Sequence, residues 1–104
     1  MLARYRSALE SRDIAALKRL WPSLGGRQED ALRSEFERAR AISVGLDGID
    51  IKPTASGATV TCRRTYTVMT GDGQTLRTAT TMFMTLGRHD GAWSIESIRH
   101  EVAR

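Results

Sequence analysis

The 104-residue chain carries 16 Lys and Arg against 12 Asp and Glu, for a net charge of +4, and 40% of its residues are hydrophobic. This length predicts one domain, residues 1–104, and the absence of an apolar run near the roughly 18 residues of a membrane span argues against membrane insertion. The arginines are scattered among acidic residues without a basic run or interleaved aromatics, which argues against nucleic-acid binding.

Cys62 is the single cysteine of the chain. It has no second thiol with which to form a disulfide or a metal site, so it is predicted to be a small buried residue, and neither a metal nor a cofactor is expected. The N-terminus lacks the pattern of a secretory signal. A soluble, cytoplasmic location is therefore expected, unless the chain is part of a membrane-anchored signalling protein.

Helical spacing of apolar residues dominates the first forty positions. Asp13 stands where an N-cap is expected, and Pro22 ends the segment that follows it. Acidic residues near the start of the last segment and arginines near its end match the helix dipole. The sequence predicts three helices, over residues 2–13, 14–21 and 27–41.

From Ile42 onward the apolar period changes to 2, and Val, Ile, Thr, Tyr and Phe become frequent. Asp72-Gly73 is a strong signal for a tight hairpin turn. Shifts of phase predict one β-bulge at Asp47–Gly48 and another near Ser97. Four antiparallel strands are predicted, over residues 42–53, 58–70, 74–86 and 93–102.

Three helices followed by four strands is the order of an α+β domain. An antiparallel sheet of this kind needs the helices to cover the face that it buries. The predicted fold is therefore three N-terminal helices packed on a curved four-stranded antiparallel sheet.

Three segments of the chain carry a family resemblance: YRSALESRDIAALKRLWPSL, ATVTCRRTYTVMTGDGQT and TMFMTLGRHDGAWSIESI. Together they resemble the nuclear transport factor 2-like superfamily, with its cystatin-like cone, which includes ketosteroid isomerase and polyketide cyclases. More narrowly, they resemble accessory domains at the C-termini of bacterial serine/threonine kinases and signalling proteins. The resemblance implies a cone with an internal pocket and dimerisation through the sheet. The chain itself has neither a Gly-rich phosphate loop nor an HRD triplet, so any kinase would lie outside it.

Residues in the inward phase of the strands and on the apolar helix faces are candidates to line that pocket and contact a small ligand. They are Tyr5, Trp21, Phe36, Cys62, Arg64, Tyr66, Met82, Met84, Trp93 and His100. Two of them are polar exceptions with open alternatives. Arg64 either pairs with an anionic ligand or has a structural role at the rim or beside Glu35. His100 is either a proton-transfer group or an ordinary surface or core residue.

The opposite face of the sheet is rich in threonine and carries less charge than a free surface usually does. This composition predicts a homodimer formed sheet to sheet. The candidate interface residues are Thr61, Arg63, Thr65, Thr67, Met69, Arg77, Thr81, Phe83 and Thr85.

The expected role is a non-catalytic accessory domain that binds a small ligand, dimerises, or does both. A purely structural oligomerisation module with a filled cone is a further possibility. The alternative is a small cone-fold enzyme of the isomerase, dehydratase or cyclase type, which needs an inward-facing carboxylate as general base. Because the strands show no carboxylate in the inward phase, no catalytic residue is predicted.

Overall fold

The computed structural model describes residues 1–102 and confirms the predicted α+β architecture. The helices are α1 (Leu2–Glu10), α2 (Ile14–Leu20) and α3 (Gly26–Arg38). The strands are β1 (Ala39–Pro53), β2 (Gly57–Thr70), β3 (Thr75–His89) and β4 (Ala92–Val102). The strands form one antiparallel sheet in the order β1-β2-β3-β4. Within residues 1–102 there is no helix with the length and hydrophobicity needed to cross a membrane.

The helices begin and end close to the predicted positions. Asp13 caps α2 by accepting a hydrogen bond from the Ala16 amide at 3.0 Å. The third helix ends at Arg38 rather than at residue 41, because Ala39 and Ala41 already pair with the end of β2. The apolar pattern of the helix continues to residue 41, but backbone pairing with β2 ends the helix at Arg38.

Both predicted bulges are present. In β1 the register with β2 shifts between Asp47 and Asp50, where Gly48 has a φ of 59°. In β4 Glu96 stands unpaired between Ile95 and Ser97, which oppose consecutive residues of β3. Each bulge changes which side chains point inward. In β4, apolar residues on both sides of the bulge face the helices, whereas in β1 the apolar residues beyond the bulge stay exposed.

The core lies between the helices and the inner face of the sheet. Leu9, Leu17, Met82, Met84 and Ile95 are each at most 1% exposed. Burial of an apolar side chain of this size contributes about 1.5–3 kcal/mol relative to leaving it in water. The helical layer therefore stays on the sheet chiefly through its apolar face.

Polar contacts from the α1 region also tie it to the free edge of β1. The Glu10 carboxylate accepts a hydrogen bond from the Val44 amide at 3.0 Å, and the Arg12 guanidinium donates to the Ala39 carbonyl at 2.6 Å. These contacts satisfy backbone groups that an edge strand would otherwise expose. They also hold α1 across the inner face of the sheet, where α1 forms one wall of a cavity.

Candidate ligand-binding site

A cavity of about 300 Å³ lies between the three helices and the inner face of the sheet. Its walls are chiefly apolar and carry a few convergent polar groups, the composition common to small-molecule sites. The lining residues are Tyr5, Leu9, Leu17, Trp21, Gln28, Ala31, Leu32, Glu35, Arg64, Tyr66, Thr78, Ile98 and His100.

Arg64 is half-buried in β2 and lines this cavity. Its Nη1 donates a hydrogen bond to the Tyr5 hydroxyl at 2.9 Å, and its guanidinium carbon lies 4.7 Å from the centre of the Tyr66 ring. Its Nε is buried without a hydrogen-bond partner, and the side chain makes no ion pair among residues 1–102. The cation is thus held by two phenol side chains and lacks a directly bound counter-ion.

Glu35 of α3 reaches the same cavity and accepts a very short hydrogen bond from the Tyr66 hydroxyl. Burial, and then the hydrogen bond and charge of Glu35, raise the pKa of Tyr66 well above its ordinary value. Burial likewise raises the pKa of Tyr5. Both phenols are therefore protonated at neutral pH, with Tyr66 donating to Glu35 and Tyr5 accepting from Arg64.

Glu35 is a carboxylate that faces the interior, although the sequence predicted none there. That expectation considered the strands alone, whereas Glu35 comes from a helix. The signal was present in the sequence, because Glu35 follows Ala31 and Leu32 at helical spacing and precedes Phe36 on the apolar side of α3. Pairing of Arg64 with Glu35 was one of the open alternatives for Arg64, but Glu35 bonds to Tyr66 and forms no ion pair with Arg64.

His100 of β4 lines the cavity, with its Nδ1 3.3 Å from the Thr80 hydroxyl. Partial burial of the imidazole, and then the positive charge of Arg64, lower the pKa of His100 to about 4. The imidazole is therefore neutral at physiological pH and can exchange a hydrogen bond with a polar ligand atom.

Tyr5, Trp21, Arg64, Tyr66 and His100 are the pocket candidates that the structure brings together around the cavity.

The other five candidates lie elsewhere. Phe36, Cys62, Met82 and Met84 belong to the packed core and are at most 7% exposed, and Phe36 also borders a separate groove between the start of α2 and α3. Trp93 is 43% exposed and borders a separate groove beside α1 and α2. It shares the inward phase of its strand but stands near the end of β4, outside the cavity.

The nine candidate interface residues share the outer face of β2 and β3. Cross-strand partners include Thr61 with Phe83 and Arg63 with Thr81. Met69 is 40% exposed, and the Arg99 guanidinium carbon lies 4.4 Å from the centre of the Phe83 ring. No element among residues 1–102 covers this face, since all three helices pack on the inner one.

Among the residues that the structure describes, no three His, Cys, Asp or Glu side chains come together as a metal site would require.

No family model matches the sequence, and no curated protein matches it either. Solved structures do match over nearly the whole chain. A nuclear transport factor 2-like superfamily protein from Salmonella enterica superimposes with a TM-score of 0.81 at 16% identity, covering 99% of this chain and 86% of its own. A candidate dehydratase of the same family from Streptomyces avermitilis gives 0.82 at 16% identity, with coverages of 99% and 92%.

A third similar structure is a candidate calcium/calmodulin-dependent protein kinase II association domain from Xanthomonas campestris. Its TM-score is 0.79 at 11% identity, and the match covers 98% of this chain and 82% of that one. At such identities the likeness concerns the fold alone. The chain therefore has the nuclear transport factor 2-like cone fold, as the resemblance implied.

Proposed function

We propose that this domain binds a small organic anion in the cone cavity without transforming it, as an accessory domain of a larger bacterial signalling protein. The observation that carries the proposal is Arg64, a cavity-lining cation held in position by Tyr5 and Tyr66 without an ion-pair partner among residues 1–102. A partly buried charge is costly unless an opposite charge compensates it. A bound carboxylate would supply that compensation.

The shape and chemistry of this cavity by itself suit a carboxylate attached to a compact apolar group. A volume of about 300 Å³ lies at the lower end of the range for ligand pockets. Leu9, Leu17, Leu32 and Ile98 offer apolar contacts around the polar groups. A benzoate-like aromatic carboxylate combines both features, because its carboxylate suits a guanidinium and its ring suits the walls.

The polar groups support binding more than catalysis. Glu35 already accepts a hydrogen bond from Tyr66, so its carboxylate is engaged before any ligand enters. The neutral state of His100 and the raised pKa of Tyr66 suit hydrogen bonding to a ligand. His100 keeps a ring nitrogen free for a ligand, but with its pKa lowered to about 4 it is a weak general base at neutral pH.

A cone-fold enzyme is the alternative, and one observation favours it. Glu35, Tyr66 and His100 line the same cavity, and such groups could act as acid and base if a ligand displaced the hydrogen bond between the first two. The Streptomyces avermitilis structure is described as a candidate dehydratase. NMR spectra of each bound ligand after long incubation distinguish the two functions, because a binding domain returns the ligand unchanged.

The test of binding compares two neighbouring arginines on opposite faces of β2. Benzoate is titrated into the full chain at pH 7 by calorimetry, with Arg64→Gln as the test variant and Arg63→Gln as the control. A hydrogen bond to a charged group contributes about 1.5–3 kcal/mol, so Arg64→Gln should weaken binding by about tenfold or more. Arg63→Gln should leave it unchanged. Equal affinities of the two variants, or no binding by the parent chain, would contradict the proposal.

We also propose that the domain dimerises through the outer face of β2 and β3, because this face is uncovered and carries Phe83 and Met69 among threonines. Light scattering after size exclusion at micromolar concentration is the direct measurement. Phe83→Glu should give a monomer, whereas Ile51→Glu, at a residue 57% exposed on the inner face, should not. A monomeric parent chain at this concentration would refute the dimer.

A further inference from the structure

We infer that the ligand is elongated, with a carboxylate beside Arg64 and an apolar chain that lies in a second cavity at the open end of the sheet. This inference rests on the proposed binding function and names its ligand class. The second cavity has a volume of about 240 Å³ and shares Glu35, Tyr66 and Thr78 with the first. Because three residues line both cavities, the cavities are adjacent. One molecule that occupies both would pass along these shared residues.

The surface of the second cavity is chiefly apolar, although Arg38 and Thr70 also line it. Val68 and Leu76 are cross-strand partners of β2 and β3 and form its apolar part. Val68 is only 7% exposed, whereas Leu76 is 59% exposed although it shares the inward phase of β3. The exposed Leu76 side chain in this cavity offers a contact surface for an apolar part of a ligand.

The end of α3 explains why this part of the sheet is open. The helix stops at Arg38, which itself lines the second cavity, and the chain turns directly into β1. A longer helix would extend further over the inner face at this end. The early transition from helix to strand therefore leaves room for a chain beyond the cone cavity.

Strand geometry sets the direction and length of such a ligand. Arg64, Tyr66 and Val68 are alternate residues of β2 and follow one another along its inner face. At about 3.3 Å per residue, the first and last of them are about 13 Å apart along the strand. This is a backbone distance, and the Arg64 guanidinium itself lies over the Tyr66 ring; a carboxylate there needs an apolar chain that continues along the strand to reach Val68.

Fatty carboxylates of increasing length test this inference. Hexanoate, octanoate, decanoate and benzoate are titrated separately into the full chain by calorimetry at pH 7. Each methylene that becomes buried should tighten binding by about twofold to fourfold, so affinity should rise from hexanoate to decanoate. Leu76→Asp should abolish this rise and leave benzoate binding unchanged, because the ring stays in the first cavity.

Ile51→Asp is the matched control, since Ile51 is 57% exposed, close to the 59% of Leu76, and lies in β1 at the other end of the sheet, outside both cavities and the proposed dimer face. It should keep the dependence on chain length. If Leu76→Asp keeps the rise, or if both variants lose it, the apolar chain does not lie against Leu76 and the inference is wrong. If benzoate binds through Arg64 but affinity does not rise with chain length, the second cavity is not a subsite, while the proposed function stands. If no carboxylate binds, both fail.

Discussion

Gly57 and Gly87 oppose each other across β2 and β3, yet a methyl group should have very different effects at the two positions. A Cβ at Gly57 would lie 1.9 Å from the Leu86 carbonyl oxygen and 2.8 Å from its carbon, both backbone atoms of the adjacent strand. A Cβ at Gly87 would lie 2.0 Å from a carboxylate oxygen of Glu96, at the end of a flexible side chain.

The magnitudes follow from what must move. Ordinary contacts require about 3.5 Å, so Gly57→Ala must push two paired strands apart by about 1.5 Å and disrupt their hydrogen bonds locally. Overpacking of this kind costs about 3 kcal/mol, or about 12–24 °C in melting temperature. Gly87→Ala displaces Glu96 from its exposed contact with His89, 3.6 Å away, and this costs no more than about 1 kcal/mol.

Urea unfolding followed by circular dichroism measures both variants against the parent chain, with the slope of the transition used to check that folding remains two-state. Gly87→Ala serves as the matched control, because it changes the same residue type in the same cross-strand pair. A loss below about 1 kcal/mol for Gly57→Ala, or equal losses for the two variants, would refute the close-approach argument.

Three further predictions concern the core, the cavity and a helix cap. Met82→Ala should lower the free energy of unfolding by about 2–5 kcal/mol because its side chain is fully buried, whereas Val102→Ala, at a residue 81% exposed and outside the proposed dimer face, should change it by less than about 0.5 kcal/mol, both by urea unfolding. The His100 ring should titrate near pH 4 by NMR, and Arg64→Gln should raise this midpoint by removing a positive charge. Between pH 6.5 and about 4 the unfolded chain binds a proton at His100, whereas the folded chain does not. The free energy of unfolding should therefore fall as the pH is lowered through this range. Asp13→Ala should cost about 1 kcal/mol in the same unfolding assay through loss of the α2 cap, and no measurable change would contradict that role.

Local features of the sequence determined the element order and both bulges. A change of apolar period at residue 42 marked the passage from helices to strands, and changes of phase around Gly48 and Ser97 marked the bulges. Asp13 marked the start of α2. These features depend on neighbours within a few residues, so the chain itself displays them.

The composition of the cavity was decided by tertiary structure. Strand periodicity assigns a side chain to a face, but which part of that face is packed depends on where the helices lie. For that reason Met82 and Met84 share the inward phase with Thr78, yet they are buried core while Thr78 lines the cavity.

The meeting of Glu35 with Tyr66, and of Tyr5 with Arg64, likewise depends on contacts between residues 31 and 59 positions apart along the chain. Sequence alone determined the layers, because each layer follows from local periodicity. Only the packing of α1 and α3 over β2 decided which polar groups share the cavity, because that packing brings distant segments together.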